Sequence, residues 1–162
     1  MKYLSTIVCY CNAVILSIFV LTSCESKNDD DISNKEMPIY VYNAPCITWG
    51  ASKTFVKKQM DGFKLLHEDE HTLIYNGNQT EDLISYGFDS NKLFVTNVFI
   101  QCEKATTEDI KQSFIGYLPQ VGYNETTYLN EEKETIGEIT TIEKDGINYH
   151  CISWCNFELV ID

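Results

Sequence analysis

Two short polar runs, Asp89-Ser90-Asn91 and Lys144-Asp145-Gly146, sit between long stretches rich in apolar and β-branched residues. Asp, Ser, Asn and Gly are the residues that tolerate a tight reversal, so each run reads as a hairpin turn. The flanking strands are Leu83–Phe88 with Leu93–Cys102, and Ile139–Glu143 with Ile147–Ile161. A connection this short reverses a strand but cannot carry it to a parallel neighbour, which requires a crossover of a dozen residues or more. The sheet is therefore expected to be antiparallel. Further strand-like runs are Phe63–Leu66, Thr72–Tyr75 and Thr127-Tyr128-Leu129. Ahead of them, Pro38 and Pro45 bracket an extended segment, with an edge strand at Ile39–Tyr42.

Two segments carry helical signals. Ser52 is a good N-cap for a helix on which Phe55, Val56 and Met60 share a face, and Gly62 offers a left-handed stop. Thr106-Thr107-Glu108-Asp109 caps a second helix with a stripe of Ile110, Phe114, Tyr117 and Leu118, closed by Pro119. The fold class read from these signals is α+β: an antiparallel β-sheet meander with two short helices packed on one face. The order helix then meander occurs twice, over 49–102 and 106–161. Two tandem repeats, or one irregular α+β domain without a repeat, both fit this order.

The last strand offers a choice of faces. Ile147, Tyr149, Cys151, Cys155, Phe157, Leu159 and Ile161 alternate on one side, taken as the core side. Asn148, His150, Ile152, Trp154, Asn156 and Glu158 fall on the other. That assignment makes His150, Ile152 and Trp154 candidate binding contacts, since exposed aromatics anchor interfaces. The alternative is that the N-terminal segment covers Trp154. Strand Leu93–Cys102 is apolar on both sides, as a central strand should be.

The N-terminus is separate from this fold. Lys2 precedes a nearly continuous apolar run from Ile7 to Leu21, too short to span a bilayer comfortably and placed as a signal-peptide core. It ends in Leu21-Thr22-Ser23-Cys24, which resembles the lipobox of bacterial lipoproteins. The resemblance implies cleavage before Cys24, acylation of that cysteine, and a Gram-negative outer-membrane lipoprotein facing the cell surface or the periplasm. The acidic run Glu25–Asp31 resembles the export tags of surface lipoproteins and reads as a disordered tether. The expected organisation is a signal peptide over 1–23, a lipidated tether over 24–36, and one domain over 37–162.

The chain carries a formal charge of −12, and all 12 of its basic residues are lysine. Nucleic-acid binding is disfavoured, because phosphate recognition needs clustered cations and guanidinium forks. Beyond the lipid cysteine, Cys46, Cys102, Cys151 and Cys155 are disulfide candidates in an oxidising compartment. A Cys151–Cys155 bridge is excluded on one strand, where four steps span ~13 Å against a limit of ~7 Å.

The run His67-Glu68-Asp69-Glu70-His71 matches the H-E-x-x-H pattern of zinc proteases. That chemistry needs a helix that aims both histidines at one metal. Here the flanking residues are extended and Gly62 has already ended a helix, so a hairpin with its tip at Glu68-Asp69-Glu70 is expected, with no catalytic residue and no cofactor. A weak metal site on His67 and His71, and with it a zinc metallohydrolase, is the remote alternative.

The run from Trp49 to Gly62, followed by strands containing Tyr86-Gly87-Phe88-Asp89 and Leu93–Ile100, is similar to small outer-membrane assembly lipoproteins and to β-lactamase-inhibitor-protein-like repeats. The resemblance implies a non-catalytic binding or scaffolding role. The first expectation is a lipid-anchored envelope module that recognises a protein or other ligand through a sheet face. The second is a structural subunit of an envelope complex that pairs through a sheet edge.

Overall fold

In a computed structural model, the described residues are 42, 44–114, 117–119 and 127–156. The signal peptide, the lipobox, the tether, most of the Ile39–Tyr42 strand and the last residues from 157 lie outside them.

The described residues form one eight-stranded antiparallel sheet. In chain order the elements are α1 (Lys53–Gln59), β1 (Leu65–Glu68), β2 (Thr72–Asn76), β3 (Leu83–Asp89) and β4 (Lys92–Gln101), then α2 (Thr107–Lys111), a 3-10 turn (Gln112–Phe114), β5 (Leu118–Pro119), β6 (Thr127–Asn130), β7 (Thr135–Lys144) and β8 (Ile147–Asn156). The order across the sheet is β1-β2-β3-β4-β8-β7-β6-β5. Two meanders therefore meet at their last strands, β4 and β8, in the middle of the sheet.

The turn chemistry explains the two long hairpins. Ser90 and Asn91 have φ of 48° and 63°, and Asp145 and Gly146 have 52° and 78°. Two consecutive left-handed residues twist the chain in the sense that matches paired strands. Asp89 then faces Lys92, and Lys144 faces Ile147.

The expected α+β class is overturned. Among the described residues the protein is predominantly an antiparallel sheet, and the two helices there are 7 and 5 residues long. Each buries a single residue of its own, Val56 in α1 and Ile110 in α2. One to two turns cannot bury a stripe wide enough to make a helical layer. The caps themselves are as expected: Ser52 accepts from the Phe55 N–H, and Thr106 and Asp109 complete a capping box. Gly62 is left-handed at φ 91°. The second helix stops early because its stripe is claimed by the sheet. The Phe114 ring stacks on Tyr128 at 4.4 Å between centroids and lies 5.6 Å from that of Trp154. Leu118 and Pro119 go to an edge strand paired with β6, where a proline can be accommodated.

The main core lies on one face of the sheet, called here the first face. It gathers Leu73, Tyr75, Ile84, Tyr86, Phe88, Leu93, Val98, Ile100, Ile139, Ile152 and Trp154, joined by Val56, Met60, Ile110 and Phe114. The segment before α1 crosses this face. Tyr42 packs against Trp154 at 6.3 Å, Thr96 Oγ1 donates to the Cys46 carbonyl, and Trp49 Nε1 donates to Thr135 Oγ1 at 2.9 Å. Gly137 gives the Phe114 ring its place, because a Cβ there would stand 2.0 Å from Phe114 Cε1.

Candidate functional site

The HEDEH run is split between strand and loop. His67 and Glu68 end β1, Asp69–His71 form the connection, and β2 begins at Thr72. Extended backbone points neighbouring side chains apart, so the one-turn spacing that a zinc helix supplies is absent here. His67 Nε2 lies 3.0 Å from Asp69 Oδ2, and His71 Nδ1 is 3.4 Å from the Phe88 carbonyl. Burial pushes the Asp69 carboxyl up, but hydrogen bonds from His67 and from the His71 N–H hold it below its ordinary value. The Lys53 ammonium donates to the Asp69 and Glu70 carbonyls, which sets a positive charge against the backbone of this connection. No group of three potential metal ligands occurs among the described residues.

His150, Ile152 and Trp154 do lie on one face, but it is the first face, and they are 6%, 0% and 4% exposed. Ile152 and Trp154 belong to the main core, and His150 Nε2 is 3.1 Å from the Ala105 carbonyl. The expected exposed contact surface is thus interior, and Tyr42 of the N-terminal segment packs against Trp154. The expected core side of the last strand is corrected with it: Ile147 is exposed, and Cys151 belongs to a smaller cluster with Ile74 and Phe99 on the opposite face. From His150 to Asn156 β8 is buried on both faces, so alternation along it cannot rank one side above the other. Cys46, Cys102, Cys151 and Cys155 are all unbridged.

A cleft of about 480 Å³ lies between residues 44–48 and α1, lined by Cys46, Phe55, Gln59, Met60, Phe63 and Ile84 among others. Tyr86 underlies this region. Its hydroxyl accepts from the Cys46 N–H and donates to Met60 Sδ, and burial raises its pKa far above the ordinary tyrosine value. These bonds tie the segment down rather than leave polar groups for a ligand.

The opposite, second face holds the more distinctive arrangement. Strand register aligns Thr127 with Glu138, Glu138 with Ser153, Ser153 with Asn97, and Asn97 with Ser85. Five polar side chains thus form one row across β6, β7, β8, β4 and β3. Ser153 Oγ donates to Asn97 Oδ1 at 2.7 Å, and Asn97 Nδ2 donates to Ser85 Oγ at 3.1 Å. Cys151 Sγ lies 3.5 Å from Ser153 Oγ. Ser85, Asn97, Ser153 and Thr127 are all buried, and Thr127 Oγ1 has no hydrogen-bond partner. Burial raises the Glu138 carboxyl above its ordinary pKa. Val95, Cys155 and Ile136 flank it on one side, and Phe99 and Cys151 on the other, where Thr140 of β7 continues the row. Ile136, Glu138, Thr140 and Ile142 of β7 are only half-buried, so this strand is where the row meets solvent.

None of the five was singled out from the sequence. The available signal was that Ser85 and Ser153 each sit next to apolar residues in mid-strand, and that Thr96-Asn97 interrupts the apolar run of β4. Only register shows that they share a row.

No family model, no curated protein and no solved structure matches this chain.

Proposed function

We propose that this protein is a lipid-anchored, non-catalytic binding module of the Gram-negative cell envelope, held in the outer membrane by acylated Cys24. It recognises a protein or another envelope ligand through the second face of its sheet. The observation that carries the reading is the polar row set between mainly apolar rows, buried yet holding an unused hydroxyl, and reachable along β7. Buried polar groups without partners cost free energy, so their retention is best understood where a ligand completes them. The acidic chain favours a partner that is not nucleic acid.

A second reading rests on the sheet edges. Edge strands β1 and β5 expose Leu65, Leu66 and Leu118, the last at 63%. An apolar open edge is a template for adding a partner's strand, which suits a structural subunit of an envelope complex.

A photo-crosslinking residue placed in the full chain in growing cells separates the two. Adducts from position 140 but not 66 support the face reading, and adducts from 66 but not 140 support the edge reading. The absence of adducts from both positions sinks both. Loss of fatty-acid labelling in Cys24→Ala tests the anchor, and labelling that persists in that variant removes it.

A further inference from the structure

We infer that the cleft between residues 44–48 and α1 is a binding site for a small organic acid with an apolar body, an aliphatic or aryl-alkyl carboxylate. The cleft lies on the first-face side of the sheet, over Ile84, and is separate from the polar row of the second face.

The space is preformed and its lining is apolar. Cys46, Ile47, Phe55, Met60, Phe63 and Ile84 face it, and no charged residue lines it. Its volume of about 480 Å³ falls within the roughly 300–1,000 Å³ typical of small-molecule sites. Each wall is anchored to the sheet by its own contacts. The Cys46 N–H donates to the Tyr86 hydroxyl, and the Cys46 carbonyl accepts from Thr96 Oγ1. Further along the same wall, the Gly50 N–H donates to the Leu93 carbonyl and the Leu93 N–H to the Ala51 carbonyl. The α1 wall is held by its Ser52 cap and by Val56 and Met60 in the core. A ligand therefore need not order either wall. The Tyr86 hydroxyl beneath is engaged with Cys46 and Met60, so an apolar body in the cleft strands none of these polar groups. Phe55 is 40% exposed and Phe63 is half-buried, so such a body takes apolar surface out of water.

The rim selects the head group. Residues 53–64 carry four lysines and one acid, in a chain whose net charge is −12. Two of these lysines are engaged, Lys53 with the Asp69 and Glu70 carbonyls and Lys57 with Glu68 at 2.6 Å. Lys58 and Lys64 are exposed and make no ion pair among the described residues. Lys58 stands three residues after Phe55 on α1 and next to Gln59, and both of those line the cleft. Residues three apart are neighbours on a helix surface, about 5–6 Å between Cβ atoms, so the flexible Lys58 stem reaches the mouth. The Gln59 amide adds two more donors there. A carboxylate at the mouth accepts from both side chains. A neutral head leaves the ammonium unused, and a cation is repelled. Lysines in a last helical turn also complement the helix dipole, but that role alone gives no preference among ligands.

The test uses the full lipidated chain in discs of zwitterionic phospholipid, methyl-labelled at methionine and isoleucine. It is titrated with hydrocinnamate, with hexanoate, and with hydrocinnamyl alcohol as the neutral control. The Ile47, Met60 and Ile84 methyl signals should move saturably with both acids, while Ile110 of α2 stays in place. Hydrocinnamate should bind more tightly than its alcohol by up to roughly fivefold, the size of an exposed ion pair, and the margin should shrink at high salt. Lys58→Gln should erase that margin, and Lys133→Gln, on an exposed lysine elsewhere, should keep it. Phe55→Ala should weaken acid and alcohol alike by roughly tenfold, through lost apolar contact. Both Phe55 and Lys58 are exposed, so neither variant threatens folding. Saturating hydrocinnamate should also slow alkylation of Cys46 and leave Cys102, the other half-buried thiol, unchanged. No saturable shift, or an equal shift at Ile110, overturns the site. An alcohol that binds as tightly as the acid, or a margin that survives in Lys58→Gln, overturns the acid as its ligand.

Discussion

The two faces of this sheet are built from alternate residues of the same strands, yet they differ in kind. The first face is closed by aromatic and aliphatic side chains from every part of the chain, including Tyr42, Val56, Phe114 and Trp154. The second has a compact apolar cluster of Ile74, Phe99 and Cys151 beside a continuous polar row. Apolar burial is non-directional and scales with area, so the first face supplies most of the stability. Hydrogen-bonded polar groups contribute little net but fix geometry, so the second face is suited to specificity.

The largest effect that sharpens this contrast should come from Trp154→Ala. Removing a large buried ring should cost about 3–5 kcal/mol in a urea melt. Cys151→Ala on the second face should cost nearer ~1 kcal/mol. Equal losses would break the comparison. Next, Gly137→Ala drives a methyl into the Phe114 ring and should cost about 1–3 kcal/mol, with Phe114→Leu recovering part of the loss in the double variant. Simple additivity would show that the ring does not depend on the missing side chain.

Glu138→Gln probes the second face through pH. Burial raises the Glu138 pKa, so the folded chain keeps this proton to higher pH than the unfolded chain does. The group's stabilising effect is therefore present at low pH and lost as pH rises through the folded-state value. The glutamine variant lacks this loss, and its urea midpoint should gain on the parent between mildly acidic and neutral pH. A difference that is flat across that range would mean the carboxyl is well solvated. The smallest effect belongs to the exposed pair Lys57–Glu68, 2.6 Å apart at the sheet edge. Glu68→Gln should shift stability by no more than ~1 kcal/mol and be insensitive at high salt. A larger loss would show that β1 is held by charge rather than by its ladder.

Much of the strand order was legible in the sequence because hairpin turns are local. Asp89-Ser90-Asn91 and Lys144-Asp145-Gly146 place their reversals without reference to anything distant, and β2, β3 and β4 fall near their expected limits, whereas β7 begins at Thr135, four residues ahead of its expected start. The capping residues Ser52 and Thr106 were legible for the same reason. The extent of α2 was not. Its stripe at Phe114, Tyr117 and Leu118 fits a helix by spacing, but Tyr128 and Gly137 draw Phe114 to the sheet, and β6 draws Leu118. The candidate site was hidden for a related reason. Three polar residues in three strands are unremarkable one at a time, and only long-range register makes them a row.

By itself, then, the sequence determined antiparallel pairing, the two hairpins, the caps and the acidic character, each set by residues within a few positions of one another. Which face of β8 holds the main core was decided only in three dimensions. A central strand is apolar on both sides, and its inward face depends on where Tyr42, Val56 and Phe114 come to rest. Those residues lie some 40 to 110 positions away along the chain, and no local pattern in Ile147–Asn156 records them.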